Sequence, residues 1–253
     1  MSKIIKSSVF FIFLLLFQSF FVIFFTGCKR PPQPDTPPAD DEKVVIKFEI
    51  TQDLETISLS LFGEPPQFAI WLEDAVTGDF QTVYVTYRSG TGDWEGKADC
   101  PAALPRWFQI YKQESNTTTL PTMDNPVPDA ITGATPTQQQ FRAGAQVPAG
   151  SRWICWIEMN LSGDFNHKYQ EYNEIEQTVD WHFSGQPPLI YRAEITAIPS
   201  QTASAKLFGQ SIPYSTAENI IEPVSEDITS AKDVFKSIEI RVLPAETAVN
   251  KEI

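Results

Sequence analysis

Residues 129 to 137, DAITGATPT, crowd three threonine hydroxyls and one carboxylate around the small residues Gly133 and Ala134. A threonine hydroxyl is a weak nucleophile, so the chemistry open to Thr132, Thr135 or Thr137 is to accept a group delivered by another protein's active site. Such an acceptor needs an accessible segment with small neighbours, and Gly133 and Ala134 supply that clearance. The prolines of PTMDNPVPD before the segment and PTQQQ after it predict a stretch held out of any sheet. The same residues also suit an ordinary turn. Asp129 can accept backbone N–H groups, Thr132 can close a side-chain turn, and Gly133 can take a positive φ.

The remaining reactive residue types are sparse. His167 and His182 have no metal-ligand spacing between them, and no serine is singled out as a partner for either, so hydrolysis is not expected and the chain reads as not an enzyme in its own right. Asp164, Asn166, Glu171, Asn173 and Glu174 gather oxygen ligands without the regular spacing of a calcium loop, which reads as a solvated acidic hairpin tip, and no metal site is expected. Trp71, Trp153 and Trp156 fall in strand patterns and suit a core, whereas Trp107 and Trp181 lie near loops and are candidates for a binding surface. Asn116 opens an NTT sequon that reads as a polar loop. Cys100 and Cys155 form an even pair that an oxidising compartment can bridge, the alternative being two free thiols with Cys155 buried.

The N-terminus sets the compartment. Lys3 and Lys6 precede an apolar run from Val9 to Phe25 that ends at Gly27 and Cys28, the pattern of a secretory signal; the run is also nearly long enough to span a bilayer. Thr26-Gly27-Cys28 resembles the lipobox of bacterial lipoproteins, with Phe25 where leucine is usual. The resemblance implies a signal peptide over 1–27 and a lipidated Cys28 as the mature N-terminus, anchored in the cell envelope and facing the periplasm or the exterior. Lys29 behind it is the residue type that favours outer-membrane sorting. Residues 28–43 hold five prolines and nothing fit for a core, so they read as an extended tether, followed by a body over 44–243 and a tail over 244–253. The chain carries 19 basic and 32 acidic residues; losing Lys3 and Lys6 leaves 17 against 32, a net −15 that excludes nucleic acid as a partner.

The elements that must position these residues are mostly strands. VVIKFEI alternates Val44, Ile46, Phe48 and Ile50 against Val45, Lys47 and Glu49, and ISLSLF alternates Ile57, Leu59 and Leu61 against serines. FAIWLED and FQTVYVTY flank a turn at Gly78 and Asp79, and RWICWIEMN, PLIYRAEITA, SAKLFG and KSIEIRVL follow. Only ALPRWFQIYKQE, which does not alternate, reads as a short helix. The expected fold is mainly β, an antiparallel sandwich behind the signal peptide and proline-rich tether.

Three resemblances extend this reading. QVPAGSRW resembles a hairpin of Ig-like domains of the flagellar hook-capping type. The order FAIWLED, LPRWFQ, DAITGAT, VPAG, an acidic strand and GQPPLIY, from Phe68 to about Ala197, resembles a family of predicted periplasmic proteins built on that Ig-like sandwich, which implies a fold and a compartment and little about activity. Asp129 to Thr135 resembles the flavinylation motif D-x-x-[ST]-G-A-T of FMN-binding-domain proteins, with Thr137 matching their later threonine. That resemblance implies FMN joined to Thr135 by a flavin transferase, with Asp129, Thr132, Gly133 and Ala134 as the surrounding motif, and redox partners at the membrane. The segment after the motif is helical in those domains and reads FRAGAQVPAG here. Two functions follow as expectations: a lipid-anchored covalent FMN carrier in envelope electron transfer, or an envelope interaction and assembly lipoprotein with no cofactor.

Overall fold

The computed structural model describes residues 42–96, 103–128, 132–180, 184–212 and 221–245. In chain order these form β1 (Lys43–Gln52), α1 (Leu54–Ser58), β2 (Gln67–Asp74), β3 (Phe80–Thr86), α2 (Tyr87–Thr91), α3 (Pro105–Ser115) and β4 (Thr132–Gly133). They continue with β5 (Gln140–Pro148), β6 (Arg152–Asn160), β7 (Tyr172–Asn173), β8 (Thr178–Val179), β9 (Leu189–Thr196), β10 (Thr202–Ser204), β11 (Lys206–Ser211), β12 (Ile221–Glu222) and β13 (Phe235–Pro244). The fold is mainly β, as the alternations require. A four-stranded sheet ordered β10-β13-β1-β5 faces a seven-stranded sheet ordered β12-β11-β9-β6-β2-β3-β4, and β7 pairs with β8 in a small hairpin.

The period-two pattern of β1 turns Ile46, Phe48 and Ile50 inward, where they meet Phe68, Ile70 and Leu72 of β2, Cys155, Ile157 and Met159 of β6, and Ile238, Ile240 and Val242 of β13 in one core. The large sheet is buried on its other face too. Ala69 and Trp71 of β2 and Trp156 of β6 point away from the sandwich core and pack beneath α3, against Leu104, Trp107, Ile110 and Tyr111. Strands covered on both faces read as continuous apolar runs, which is why FAIWLED and RWICWIEM lack clean alternation.

The helix read from ALPRWFQIYKQE is α3. It begins on Pro105, whose fixed φ suits a first helical position, and ends at Asn116 in the left-handed conformation. Its own N-cap, Leu104, offers no side-chain acceptor. The carboxylate of Glu158 on β6 takes that place, accepting the N–H groups of Arg106 at 3.1 Å and Trp107 at 2.7 Å and the hydroxyl of Ser211. Glu158 is fully buried, and desolvation pushes its pKa up to about 7 against the pull of those three donors.

Two expectations are corrected. ISLSLF is no strand: Asp53 accepts the Glu55 N–H and the Thr56 hydroxyl and starts α1, so only Ile57 reaches the core while Leu59 and Leu61 are exposed. Trp107 is no surface residue; it is 2% exposed on the inner face of α3, with its indole N–H donated to Thr82 Oγ1 at 3.3 Å. Trp181, the other surface candidate, lies outside the described residues. Among the described residues no helix is long and apolar enough to cross a membrane.

Candidate functional site

Thr132 and Gly133 do not stand clear of the sheet as the flanking prolines suggest. They form β4, paired parallel with the end of β3, Val85 opposite Thr132 and Thr86 opposite Gly133. Parallel pairing here needs only two residues, and the proline-rich segment before it is fixed by the Val127 N–H, donated to the Gly90 carbonyl at 2.8 Å. Thr132 Oγ1 is turned back on that segment, within 3.2 Å of both the Val127 and the Pro128 carbonyls. From β4 the chain leaves the edge of the large sheet and enters β5 on the edge of the small one. Residues 134 to 139 therefore cross from one sheet to the other.

Two side chains hold this crossing. Tyr84 on β3 packs its ring against Phe141 and Phe68, at centroid distances of 4.5 and 5.2 Å, and donates its hydroxyl to the carbonyls of Gly133 at 3.2 Å and Ala134 at 2.9 Å. Burial raises the phenol's pKa, so it stays a neutral donor. Gln52, the last residue of β1 and fully buried, donates its amide to the carbonyls of Pro136 at 3.3 Å and Gln138 at 2.9 Å, and its backbone N–H to Gln139 at 2.8 Å. Gly133 serves the close approach of Tyr84: a Cβ there would lie 2.7 Å from Tyr84 Cε2. It is absent from the positive-φ glycines, so the left-handed turn expected at this position is corrected.

Thr135 sits between the two fixings. The carbonyls of Ala134 before it and Pro136 after it are both held, while the half-buried Thr135 itself makes no hydrogen bond through its hydroxyl among the described residues. Ala134 and Thr137 are exposed. Among the described residues, the side chains that hydrogen-bond to this stretch are a carboxamide and a neutral phenol, neither of which takes a proton from a hydroxyl. Neither Tyr84 nor Gln52 stood out beforehand. Gln52 could have, since the inward period of β1 runs Ile46, Phe48, Ile50 and then this one polar residue.

The other candidate residues are dispersed. Asp129, Cys28, Cys100 and His182 lie outside the described residues. Cys155 is a free, buried thiol whose pKa burial pushes up to about 12, which makes it inert. His167 is exposed, 3.8 Å from Asp227. Three of the five oxygen-bearing residues of the acidic segment are committed to folding. Asp164 accepts from Gln186 and Ser230, both at 2.7 Å, Asn166 caps Lys168 and Tyr169, and Asn173 caps Ile175 and Glu176. Among the described residues no three histidine, cysteine or acidic side chains converge as a metal site would need. No family model matches the chain, and neither a curated protein nor a solved structure matches it.

Proposed function

We propose that this chain is a lipid-anchored envelope protein that carries FMN covalently on Thr135. One observation supports the reading above the others: Thr135, the threonine that the motif resemblance marks, has both flanking carbonyls fixed and its own hydroxyl uncommitted, an arrangement that Thr137 shares between the Pro136 and Gln138 carbonyls. Fixed flanks present the hydroxyl in one place to an incoming transferase, and exposed Ala134 leaves the approach narrow but unblocked. In the transfer the Thr135 Oγ–phosphorus bond forms and the pyrophosphate bond of FAD breaks. AMP leaves, and the hydroxyl proton goes to the transferase. Attached FMN supplies reversible one- and two-electron chemistry, and the sandwich, tether and anchor at Cys28 serve to keep it at the membrane surface within reach of redox partners, with no substrate turnover by this chain.

A second reading rests on Thr132 and Gly133. Both have structural tasks, the hydroxyl of Thr132 on the Val127 and Pro128 carbonyls and the missing side chain of Gly133 against Tyr84, so much of the motif-like sequence is accounted for by folding alone. On that reading the chain is an envelope interaction lipoprotein without cofactor. Coexpression of the full chain with an active flavin transferase separates the two: flavin fluorescence that survives a denaturing gel supports the carrier, and its absence supports the interaction protein.

A further inference from the structure

The outer edges of the two facing sheets are unequal. The large sheet ends in β12 and β4, each of two residues, and the small one ends on one side in the three-residue β10. Edges that short offer little to pair with. The other side of the small sheet is β5, nine residues long. It has no proline before Pro148, and its only charged residue, Arg142, is paired with Glu49 at 3.0 Å. Its inner face carries Phe141, Ala143 and Ala145, which pack on the core and are still partly exposed. The bonds at its two ends show which backbone groups face outward. The Gln52 N–H is donated to the Gln139 carbonyl at 2.8 Å and the Ala149 N–H to the Glu42 carbonyl at 2.9 Å, with β1 and β5 in unbroken register between them. Hydrogen-bonded pairs alternate along an antiparallel ladder. Phe141, Ala143, Ala145 and Val147 therefore bond to β1, while Gln140, Arg142, Gly144 and Gln146 turn their N–H and C=O groups to the open edge.

We infer that this edge pairs with itself, β5 of one copy antiparallel to β5 of a second copy of the chain. The order of residues along it is self-complementary about Ala143. A two-fold axis there sets Gln140 opposite Gln146 of the second copy and Arg142 opposite its Gly144, so every outward N–H and C=O of these residues meets a partner and the two small sheets become one. On the inner face Phe141 comes opposite Ala145, which is small enough to lie beside the ring, and Ala143 comes opposite its own counterpart, so the partly exposed apolar surface is covered. The neighbouring registers are worse. An axis at Arg142 opposes that guanidinium to its twin, and an axis at Gly144 brings Pro148, which has no N–H, against Gln140. Glu49 beside the edge is surrounded by Lys47, Arg142 and Arg241, so the acidic charge of the chain does not fall here. The pairing rests neither on flavin nor on the anchor.

Sedimentation velocity of the full chain tests this, with the protein made without a flavin transferase and held in density-matched detergent whose micelles are in excess. The wild type is a reversible dimer at about 100 μM. Gln140→Lys combined with Gln146→Lys opposes like charges across the pairing and raises the dissociation constant by roughly threefold or more, whereas Gln140→Lys combined with Gln146→Glu opposes unlike charges and lowers it. Both positions are exposed in the single copy, so the melting temperature of the monomer is unchanged by either pair. Ala143→Cys, under mild oxidation, gives a disulfide-linked dimer because the substituted position faces its own counterpart; Gln146→Cys and the wild type, oxidised alike, do not. A wild type that stays monomeric overturns the inference, and is the result expected if the edge instead takes an extended segment of another protein. A dimer that responds alike to the two charge combinations, or that Ala143→Cys fails to link, overturns it too.

Discussion

At the scale of single residues, the crossing between the sheets separates two kinds of threonine. Thr132 is spent on holding the chain, and Thr135 is not, so substitutions at the two have opposite signatures. Thr135→Ala removes a hydroxyl without partners and changes stability by less than about 0.5 kcal/mol, measured by denaturant melts, while abolishing covalent flavin. Gly133→Ala does the reverse of a silent change. Its new Cβ has 2.7 Å to Tyr84 Cε2, and the ring is held by Phe68 and Phe141, so overpacking costs about 1–3 kcal/mol even though no reacting atom is touched. Tyr84→Phe keeps the ring and drops the hydroxyl that two carbonyls share. It costs about 1 kcal/mol and, by freeing the flank of Thr135, lowers the extent of flavinylation in a time course with the transferase.

At the scale of elements, the most testable contact is the capping of α3 by Glu158. Burial raises this carboxyl from the ordinary glutamate range to about 7 in the folded state. The folded protein therefore holds a proton there that the unfolded chain has released, and the stabilisation is complete below the unfolded pKa of about 4.5 and is lost as pH rises to about 7. Wild-type stability, measured against a Glu158→Gln variant in urea melts, falls by on the order of 3 kcal/mol across that window and is flat above it. A difference that grows with pH contradicts the assigned burial. Glu158 also shows why parts of the fold were legible in the sequence and parts were not. Ile46, Phe48 and Ile50 announce β1 because one face of it is buried, and Pro105 announces the start of α3. ISLSLF misleads because three alternating apolar residues are too few to outweigh the cap at Asp53. The stripe Leu104, Trp107, Ile110 and Tyr111 carried the buried position of Trp107, once the helix was granted. Nothing local shows that Glu158 caps a helix some fifty positions earlier, or that Tyr84 and Gln52 close on residues 133 to 139, since those contacts exist only after the sheets pair.

At the scale of the whole molecule, the proposal joins an anchor, a tether and a sandwich whose crossing segment offers the hydroxyl of Thr135. The anchor stands on Cys28: Cys28→Ala abolishes incorporation of a fatty-acid analogue and leaves the signal segment attached, and continued labelling of that variant rejects the lipoprotein reading whatever happens at Thr135. The carrier reading is decided by intact mass and peptide mapping of the full chain coexpressed with a flavin transferase already shown to modify its own partner in the same cells. The account predicts an adduct of one FMN on the peptide containing Thr135, absent from the Thr135→Ala variant, while an unmodified wild-type chain, or an adduct on Thr132 or Thr137, contradicts it.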